Sequence, residues 1–259
     1  MPLLSEKHLR LALRQCGHRA SAPGGDRMTW AALRRDALRL LPLLAAQLAE
    51  GTWQPGAFRP VSILTYTGKQ FLAAVPPVRD RLVQRAMRNA MEPIFEARAF
   101  AAWVSGFRPR RNRISALRQA TVHVDAGYRW VADVDVASVS EGATVEDVIG
   151  WIARYVHDGT FLARVRTALA VLPSPIAPGS GLAPLLINLR LSQVDSELAG
   201  LPVVRFADNY CAFARTRSEA VEAFARIGEA LARQRLKPNA AKSRLREDVC
   251  VEDLFLIGG

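Results

Sequence analysis

An acidic residue and an amide, Asp208 and Asn209, stand between two short, largely apolar runs at residues 203–207 and 210–213. Asp and Asn tolerate the turn conformations that most residues avoid, so the pattern predicts two strands joined by a tight turn. A carboxylate at the tip of a hairpin is costly to desolvate unless it binds something. Hard divalent cations prefer carboxylate oxygens, so the pattern predicts a metal ion at Asp208.

Two more carboxylates, Asp133 and Asp135, lie in a second predicted strand at residues 130–136. Side chains alternate between the two faces of a strand, so both carboxylates share one face with Val131. The opposite face carries the apolar residues Ala132, Val134 and Val136. The sequence therefore predicts a strand that presents its acidic groups on a single side.

Helix and turn signals divide the rest of the chain. Residues 1–50 are predicted to be helical, with leucines at helical spacing from Trp30 to Leu48 and a terminating glycine at Gly51. Residues 52–78 are predicted to form a hairpin that turns near residues 67–69. The further predictions are a helix from Val78 to about Met91, a helix after the N-cap Thr144, a buried helix over 182–191, a helix from the capping box Thr216–Glu219 to about Arg235, and a closing strand over 254–257.

Composition narrows the function classes. Half of the 259 residues are hydrophobic, yet no apolar run reaches the roughly 18 residues of a membrane span. The first ten residues lack the long apolar segment of a secretory signal. The three cysteines (Cys16, Cys211 and Cys250) are widely spaced and show no metal-ligand pairing, which is typical of reduced thiols. We therefore expect a cytoplasmic protein without a membrane partner.

The chain is strongly basic, with a net charge of +11 and 35 basic residues, of which only four are lysines. One interpretation is a composition that prefers arginine; the other is a polyanionic partner, whose phosphates the arginines neutralise. Clustering favours nucleic acid. The clustered residues are Arg79, Arg81, Arg85 and Arg88, followed by Arg108, Arg110, Arg111 and Arg113. Trp103 and Phe107 beside the second cluster have the chemistry to stack on bases, although packing beneath a loop explains Trp103 equally well.

The hairpin and seven further motifs, in the family's order, resemble the reverse transcriptases of the group II intron type. Phe206–Asn209 is similar to the Tyr-Ala-Asp-Asp hairpin of that family, and the strand that reaches Asp135 and Val136 is similar to its first catalytic strand. The other matching segments are Pro60–Lys69, Val78–Gln84 with Glu92–Glu96, Gly106–Pro109 with Ala116–Leu117, Leu182–Leu189, Leu236–Lys242 and Phe255–Gly258. The resemblance covers residues 57–259, and the shared order makes it specific. CRISPR-associated and diversity-generating reverse transcriptases have similar motifs and stay open as subgroups.

The resemblance implies an α+β right-hand fold of fingers and palm, in which helices back an antiparallel palm sheet. Residues 1–125 are expected to form N-terminal helices and fingers, with helix 78–97 contributing to the palm. Residues 126–259 are expected to form the palm and to end at the primer-grip strand. The family's thumb would follow Gly259, so we expect the thumb to be absent. Either a protein partner supplies a thumb-like surface, or the chain is a piece of a longer protein.

The resemblance also implies RNA-directed DNA polymerisation by two divalent cations, Mg²⁺ or Mn²⁺. The implied catalytic residues are Asp135, Asp208 and Asn209, and the implied metal ligands are Asp135, Asp208 and the backbone carbonyl of Val136. Asp133 is a further candidate ligand, although a solvated carboxylate at the strand end is the expectation for it. The implied partners are an RNA template with a DNA primer, or an RNA/DNA duplex. The clustered Arg79, Arg81, Arg85, Arg108, Arg110, Arg111 and Arg113 are the expected nucleic-acid contacts.

Several positions depart from the family's pattern at the nucleotide pocket, which the resemblance places at Lys69, Phe71, Ser140, Pro178, Gly179 and Lys242. Phe71 replaces an arginine of the triphosphate clamp, which removes a bidentate phosphate contact. Ser140 replaces the bulky aromatic residue that rejects the ribose 2′-hydroxyl. The loop at Pro178 and Gly179 lacks the family's glutamine, and Asn209 replaces a carboxylate.

These departures concern the metal, the triphosphate, the sugar and the template base, whereas the scaffold motifs persist. The sequence therefore predicts a reverse transcriptase with weak or lost catalysis. The alternative is a pseudoenzyme of the same fold that binds RNA or an RNA/DNA duplex in a larger complex. The four histidines are dispersed, and surface or core positions are expected for them.

Overall fold

The computed structural model describes residues 4–16, 22–64 and 70–255. In chain order its elements are α1 (Glu6–Cys16), α2 (Trp30–Arg35), α3 (Ala37–Glu50), β1 (Arg59–Leu64), β2 (Gln70–Val75), α4 (Val78–Arg98), β3 (Val104–Ser105), α5 (Arg113–Asp125), β4 (Trp130–Ala137), α6 (Val145–Ala153), α7 (Gly159–Ala170), α8 (Ala183–Glu197), β5 (Val203–Phe206), β6 (Asn209–Ala214), α9 (Arg217–Arg233), β7 (Lys237–Pro238) and β8 (Arg244–Glu247). This mixture confirms the α+β class.

The chain divides into two compact units that are interleaved in sequence. The first contains residues 1–98 and 140–186, and the second contains residues 99–139 and 187–259. The expected division into fingers and palm at residues 125 and 126 concerns functional subdomains and stays a prediction. None of the helices in the described ranges is both long and apolar enough to cross a membrane.

The first unit is mainly helical. The helix expected from Trp30 to Leu48 is two helices, α2 and α3, because the chain turns at Asp36, whose backbone N–H donates to carbonyls of α2. The side chain of Thr29 caps the start of α2 by accepting from the amide of Ala32. Gly51 ends α3 with a φ of 85°, a left-handed conformation that favours glycine. Residues 22–29 lie outside helices, so the expectation of continuous helix over residues 1–50 is wrong there.

The expected hairpin is present in the first unit as the antiparallel pair β1 and β2. Its register pairs Arg59 with Val75 and Leu64 with Gln70. The expected turn at residues 67–69 lies outside the described residues. α4 begins at Val78 as predicted and continues to Arg98, past the end near Met91 that its apolar pattern predicts, because its buried face extends through Phe95.

The second unit is built around a mixed sheet with the strand order β3–β5–β6–β4, and β4 also pairs with β7 and β8. β3 and β5 are parallel, and the other pairs are antiparallel. β4 is central in the sheet, and helices cover both of its faces. Ala132, Val134 and Val136 lie in a cluster with residues of α8 and α9, and Val131 lies in a second cluster with residues of α5. The predicted division of β4 into two faces is confirmed.

Two local predictions in the second unit are corrected. Leu254 and Phe255 were expected in a closing strand, but they follow a 3-10 turn at Val251–Asp253 and are not in a strand, and residues 256–259 lie outside the described residues. Thr216 caps α9 as predicted, by accepting from the amide of Glu219. The Glu219 carboxylate accepts from the amide of Arg215 instead of that of Thr216, so the capping is displaced by one residue.

Candidate active site

The register of the central strands brings the two predicted carboxylates together. β4 pairs with β6 so that Asp135 is opposite Asn209, and the amide of Val136 donates to the carbonyl of Asp208 at 3.0 Å. Asp135 and Asp208 consequently line one cavity of about 570 Å³, which Lys242 also lines. Their catalytic and metal-binding roles stay predictions, but the arrangement that those roles require is present.

The tip of the β5–β6 hairpin is held in an unusual backbone conformation. Ala207, which precedes Asp208, has a φ of 54°, in the left-handed region that costs a residue with a Cβ about 1–2 kcal/mol. Its amide donates to the carbonyl of Ser105 at 3.0 Å, and its carbonyl accepts from Nη1 of Arg205 at 2.6 Å. Both polar groups of Ala207 are therefore fixed, and this fixes the direction in which Asp208 leaves the tip.

Arg205 is completely buried and makes a fork-like ion pair with Asp195 of α8. Nε and Nη2 donate to the two carboxylate oxygens at 2.9 and 2.6 Å, and Nη1 also donates to Oδ1 of Asn188 at 3.0 Å. The hydroxyl of Tyr210 donates to Asp195 as well, at 2.9 Å. Burial is the largest influence and opposes the charged form of Arg205, but Asp195, Tyr210 and Asp208 together raise the pKa of the guanidinium.

Sequence reasoning missed these supporting residues. The available signal was an acidic residue inside the apolar helix α8 and an arginine inside the apolar strand β5, since charged groups are rarely fully buried unless they are paired. The pair lies directly behind the hairpin tip, where it restrains Ala207.

The electrostatics of the site depend on the two carboxylates. Burial raises the pKa of Asp208 above its ordinary value, and the negative charge of Asp135 raises it further. The backbone amide of Asp208 and the cations of Arg205 and Lys242 act in the opposite direction. Two carboxylates that repel each other in a partly buried place are a charge arrangement that a bound cation would stabilise.

The segment between β7 and β8 positions Asp135. The amide of Asn239 donates to the Asp135 carbonyl at 2.8 Å, and its side-chain Nδ2 donates to Oδ1 of Asp135 at 3.0 Å. The Ser243 hydroxyl accepts from the Asp135 amide at 3.2 Å. Asn239 was noted in the sequence only as part of a motif, so its contact with the carboxylate is a finding of the structure.

Asp133 differs from its expectation. It is only 7% exposed, so the expectation of a solvated carboxylate is wrong. Its Oδ1 accepts from Nδ2 of Asn209 at 3.1 Å, and its Oδ2 lies 3.4 Å from Nη1 of Arg246. The side-chain oxygen of Asn209 accepts from the thiol of Cys211 at 3.5 Å. The amide of Asn209 is thus engaged at both ends.

Most of the expected nucleotide pocket belongs to the first unit. Phe71 is half-buried on β2, and the amide of Ala74 on the same strand donates to the carbonyl of Pro178 at 2.7 Å. Gly179 has a φ of 96°, and a Cβ there would lie 2.5 Å from the Ala74 carbonyl oxygen. The Ser140 carbonyl accepts from the hydroxyl of Ser174 at 2.9 Å. Lys69 lies outside the described residues, and Lys242 belongs to the second unit.

Three of the four arginines clustered at residues 108–113 donate hydrogen bonds to backbone carbonyls. Arg108 is buried and donates to the carbonyls of Ala101 and Val104, at 2.7 and 2.9 Å. Arg111 donates to the same loop, at the carbonyls of Ala102 and Val104. Arg113 donates to the carbonyls of Leu254 and Phe255, and Arg110 is exposed. The role of this cluster as a nucleic-acid contact stays a prediction.

The arginines of α4 are likewise used inside the first unit. Arg79 donates to the carbonyl of Gln54 at 3.4 Å, Arg81 to the carbonyl of Ala22 at 2.8 Å, and Arg85 to Oε1 of Gln15 at 3.0 Å. All three are partly exposed, and their expected contact with nucleic-acid phosphates stays a prediction.

The aromatic residues beside the cluster differ in exposure. Phe107 is 42% exposed, has a φ of 56° and lines the same cavity as Asp208. Trp103 is partly buried and packs against the core cluster of α8, α9 and the sheet. The packing interpretation of Trp103 therefore has direct support, and base stacking at Phe107 stays a prediction.

Carboxylate oxygens are the donors that this site offers to a divalent cation. Across residues 4–16, 22–64 and 70–255, no group of three or more His, Cys, Asp and Glu side chains is arranged to hold a metal ion. The carboxylate pair Asp135 and Asp208 nevertheless suits Mg²⁺, which is commonly bound by one or two carboxylates together with water and substrate phosphates. The donor chemistry of Asp135 and Asp208 therefore fits Mg²⁺.

The fold and the site define an α+β protein whose hairpin presents oxygen ligands suited to a hard divalent cation. Residues 51–251 match the sequence model of the family described as "Reverse transcriptase (RNA-dependent DNA polymerase)". The chain belongs to the reverse transcriptase family.

The similar proteins agree with the group II intron type. The chain is 31% identical to Protein YkfC of Escherichia coli over 193 residues, which cover 69% of the chain and 50% of that protein. It is 33% identical to nuclear intron maturase 2 of Arabidopsis thaliana over 105 residues, 40% of the chain and 14% of the maturase. It is 26% identical to the group II intron-encoded protein LtrA of Lactococcus lactis, over 57% of the chain and 26% of LtrA. The predicted resemblance is confirmed.

Among solved structures, a chain of a partial Cas6-RT-Cas1–Cas2 complex is similar, with 19% identity and a TM-score of 0.49 over 89% of this chain and 40% of that one. The chain spans half of the length of YkfC and smaller shares of the other proteins named here.

Proposed function

We propose that the chain performs RNA-templated nucleotidyl transfer onto a DNA primer at a low rate, with the second unit as a polymerase palm. The observation that carries the proposal is the pairing of β4 with the β5–β6 hairpin, which places Asp135 and Asp208 at one cavity. Mg²⁺ or Mn²⁺, when bound, would supply charge for the triphosphate and lower the pKa of the primer hydroxyl.

In this proposal the protein residues bind and orient the reacting groups. The carboxylates of Asp135 and Asp208 would hold the cation, and the Val136 carbonyl follows Asp135 in the chain. Arg205 and Asn239 keep the two carboxylates in place through the hydrogen bonds described above. Lys242 is exposed at the cavity, where its ammonium group is suited to a phosphate. The implied nucleic-acid partners are an RNA template and a DNA primer.

The low rate follows from the departures at the pocket. Asn209 adds no carboxylate, and Phe71 lacks the bidentate donors with which an arginine binds phosphate. Ser140 is small where the family has an aromatic side chain, so ribose is expected to be rejected poorly. These changes reduce transition-state contacts and leave the scaffold intact.

A second candidate is a pseudoenzyme that binds RNA or an RNA/DNA duplex in a larger complex, with a partner that supplies a thumb-like surface. The amide of Asn209 favours it, since both of its ends are engaged within the protein. Salt-sensitive RNA binding without extension under any metal would support this candidate.

Primer extension on poly(rA)/oligo(dT) with Mg²⁺ or Mn²⁺ tests the first candidate. We expect slow extension that Asp208→Ala and Asp135→Ala each reduce by about 100-fold or more, because each removes a charged ligand. Asp248→Ala is the matched control, since Asp248 is an exposed carboxylate paired with Arg129 on another part of the second unit. Extension that survives Asp208→Ala would contradict the assignment of the site.

A further inference from the structure

The face of the sheet that carries the carboxylate pair also carries a second polar pair. Asp133 and Asp135 project from β4, and Asn209 and Cys211 project from the same face of β6, because the register sets Asp133 opposite Cys211 and Asp135 opposite Asn209. Asn209 therefore has carboxylates on two sides, one directly across the strand pair and one diagonal to it.

The hydrogen bonds show which carboxylate Asn209 serves. Its Nδ2 donates to Oδ1 of Asp133 at 3.1 Å, and its side-chain oxygen accepts from the Cys211 thiol at 3.5 Å. The side-chain oxygen of Asn209 is the atom that would have to bind a cation, and it already accepts a hydrogen bond. Nδ2 is a donor and cannot bind a cation. Nδ2 is engaged by Asp133, while Asn209 also lines the cavity of Asp135 and Asp208.

Asp133 is held by donors on both oxygens. Arg246 lies 3.4 Å from Oδ2, and the same guanidinium nitrogen donates to the carbonyl of Asp253 at 3.2 Å. A buried carboxylate with two donors is stable in this place, whereas a second carboxylate at position 209 would put two like charges at hydrogen-bond distance. An amide is therefore the side chain of this size that satisfies Asp133.

We propose that Asp133 is a positioning residue that holds Asn209 away from the cation, and that the carboxylate at 133 and the amide at 209 form one exchangeable pair. The hairpin accommodates a carboxylate at position 209 when the residue at position 133 is an amide. The inference rests on the proposed function in one respect only, the statement that a cation binds at Asp208.

The first test compares the thermal stability of Asn209→Asp, Asp133→Asn and the exchange variant that carries both substitutions. Asn209→Asp is expected to lower Tm by about 2–4 °C, because it replaces a hydrogen bond by repulsion. The exchange restores a donor opposite a carboxylate, so it is expected to recover at least about half of that loss. Losses that simply add in the double variant would overturn the pairing.

The second test measures Mn²⁺ binding by electron paramagnetic resonance. Asp208→Asn is expected to weaken binding by about tenfold or more, while Asn209→Ala changes it by less than about threefold because its amide is no ligand. Equal weakening by the two variants would show that Asn209 binds the cation and would overturn the positioning role.

The two tests separate the two claims. If the unaltered protein binds no Mn²⁺, the proposed function fails, and the stability cycle still decides whether Asp133 and Asn209 are coupled. If Mn²⁺ binds and the cycle is additive, the site stands and the positioning role of Asp133 is wrong.

Discussion

The two hairpins of this protein are stabilised in different ways. In the β5–β6 hairpin of the second unit, the strand residues are almost all buried, and Arg205 fixes the tip from behind. In the β1–β2 hairpin of the first unit, Leu64 and Leu72 are 71% and 65% exposed, and within the two described strands buried residues occur only near the base, at Ala73 and Ala74. The strands of the β5–β6 hairpin are buried along their length, whereas the strands of the β1–β2 hairpin are buried at one end.

The difference has a functional meaning. A carboxylate that must meet a cation within a fraction of an ångström needs a support that leaves few alternative conformations. A hairpin that is anchored at its base and exposed beyond it is suited to a surface that meets a ligand. Substitutions in the supports of each hairpin therefore test the difference.

The largest effect is expected from Arg205→Met. The variant leaves the Asp195 carboxylate buried without its cation, so the free energy of unfolding is expected to fall by about 3–5 kcal/mol. Urea unfolding measures the loss. Arg118→Met, at an exposed position of α5, is the matched control, and its effect is expected to stay within about 0.5 kcal/mol. Equal effects of the two variants would show that the buried pair does not support the β5–β6 hairpin.

A smaller but substantial loss is expected from Gly179→Ala at the base of the β1–β2 hairpin. The new Cβ would lie 2.5 Å from the Ala74 carbonyl oxygen, in a residue whose φ is 96°. The free energy of unfolding is expected to fall by about 2–3 kcal/mol, since the backbone must shift and the conformation is strained. Gly142→Ala is the control: its φ is also positive, at 70°, but no atom lies within 4 Å of the added Cβ. If the two alanines cost the same, the close contact with β2 is unimportant.

The segment that leads into β1 adds a pH-dependent support. Burial raises the pKa of Asp80 to about 6, although its Oδ2 accepts from the amide of Gly56 at 2.7 Å. The folded state therefore binds this proton more tightly than the unfolded state does. Stability is expected to fall by roughly 2–3 kcal/mol as the pH rises from about 4 to above 6. Denaturant unfolding over this range measures the fall, and Asp80→Asn is expected to flatten the curve. A curve that rises instead would contradict the direction of the shift.

The sequence predicted β4, α8, the β5–β6 hairpin and α9 of the second unit because their patterns are local. Alternation in β4, and the polar pair between two apolar runs, depend on neighbours in the chain, so Asp135 and Asp208 were found from the sequence. The partners of these groups were not found. Asn239 reaches Asp135 from a segment about one hundred residues away, and the pairing of Asp195 with Arg205 was signalled only by their charges within apolar elements.

The arginines also show what local sequence patterns cannot predict. Their clustering predicted a surface for nucleic acid, but Arg108 is buried and serves two loop carbonyls. Charge counts cannot separate a guanidinium that binds phosphate from one that binds carbonyls, because both uses exploit the same donors. The burial of Asp133 was likewise unpredictable, since its partner Arg246 is more than one hundred residues away in the chain.

The smallest effect on stability is expected at the exposed part of the β1–β2 hairpin, and it is the one that sharpens the comparison most. Leu72→Ser changes a side chain that is 65% exposed, so the free energy of unfolding is expected to change by less than about 0.5 kcal/mol. Val204→Ser, in the buried hairpin, is the matched change and is expected to cost about 2–4 kcal/mol because it removes a buried apolar group and adds a hydroxyl. Both are measured by urea unfolding. A cost at Leu72 as large as that at Val204 would show that the first hairpin is covered in solution, and the contrast between an anchored and a fully supported hairpin would then be lost.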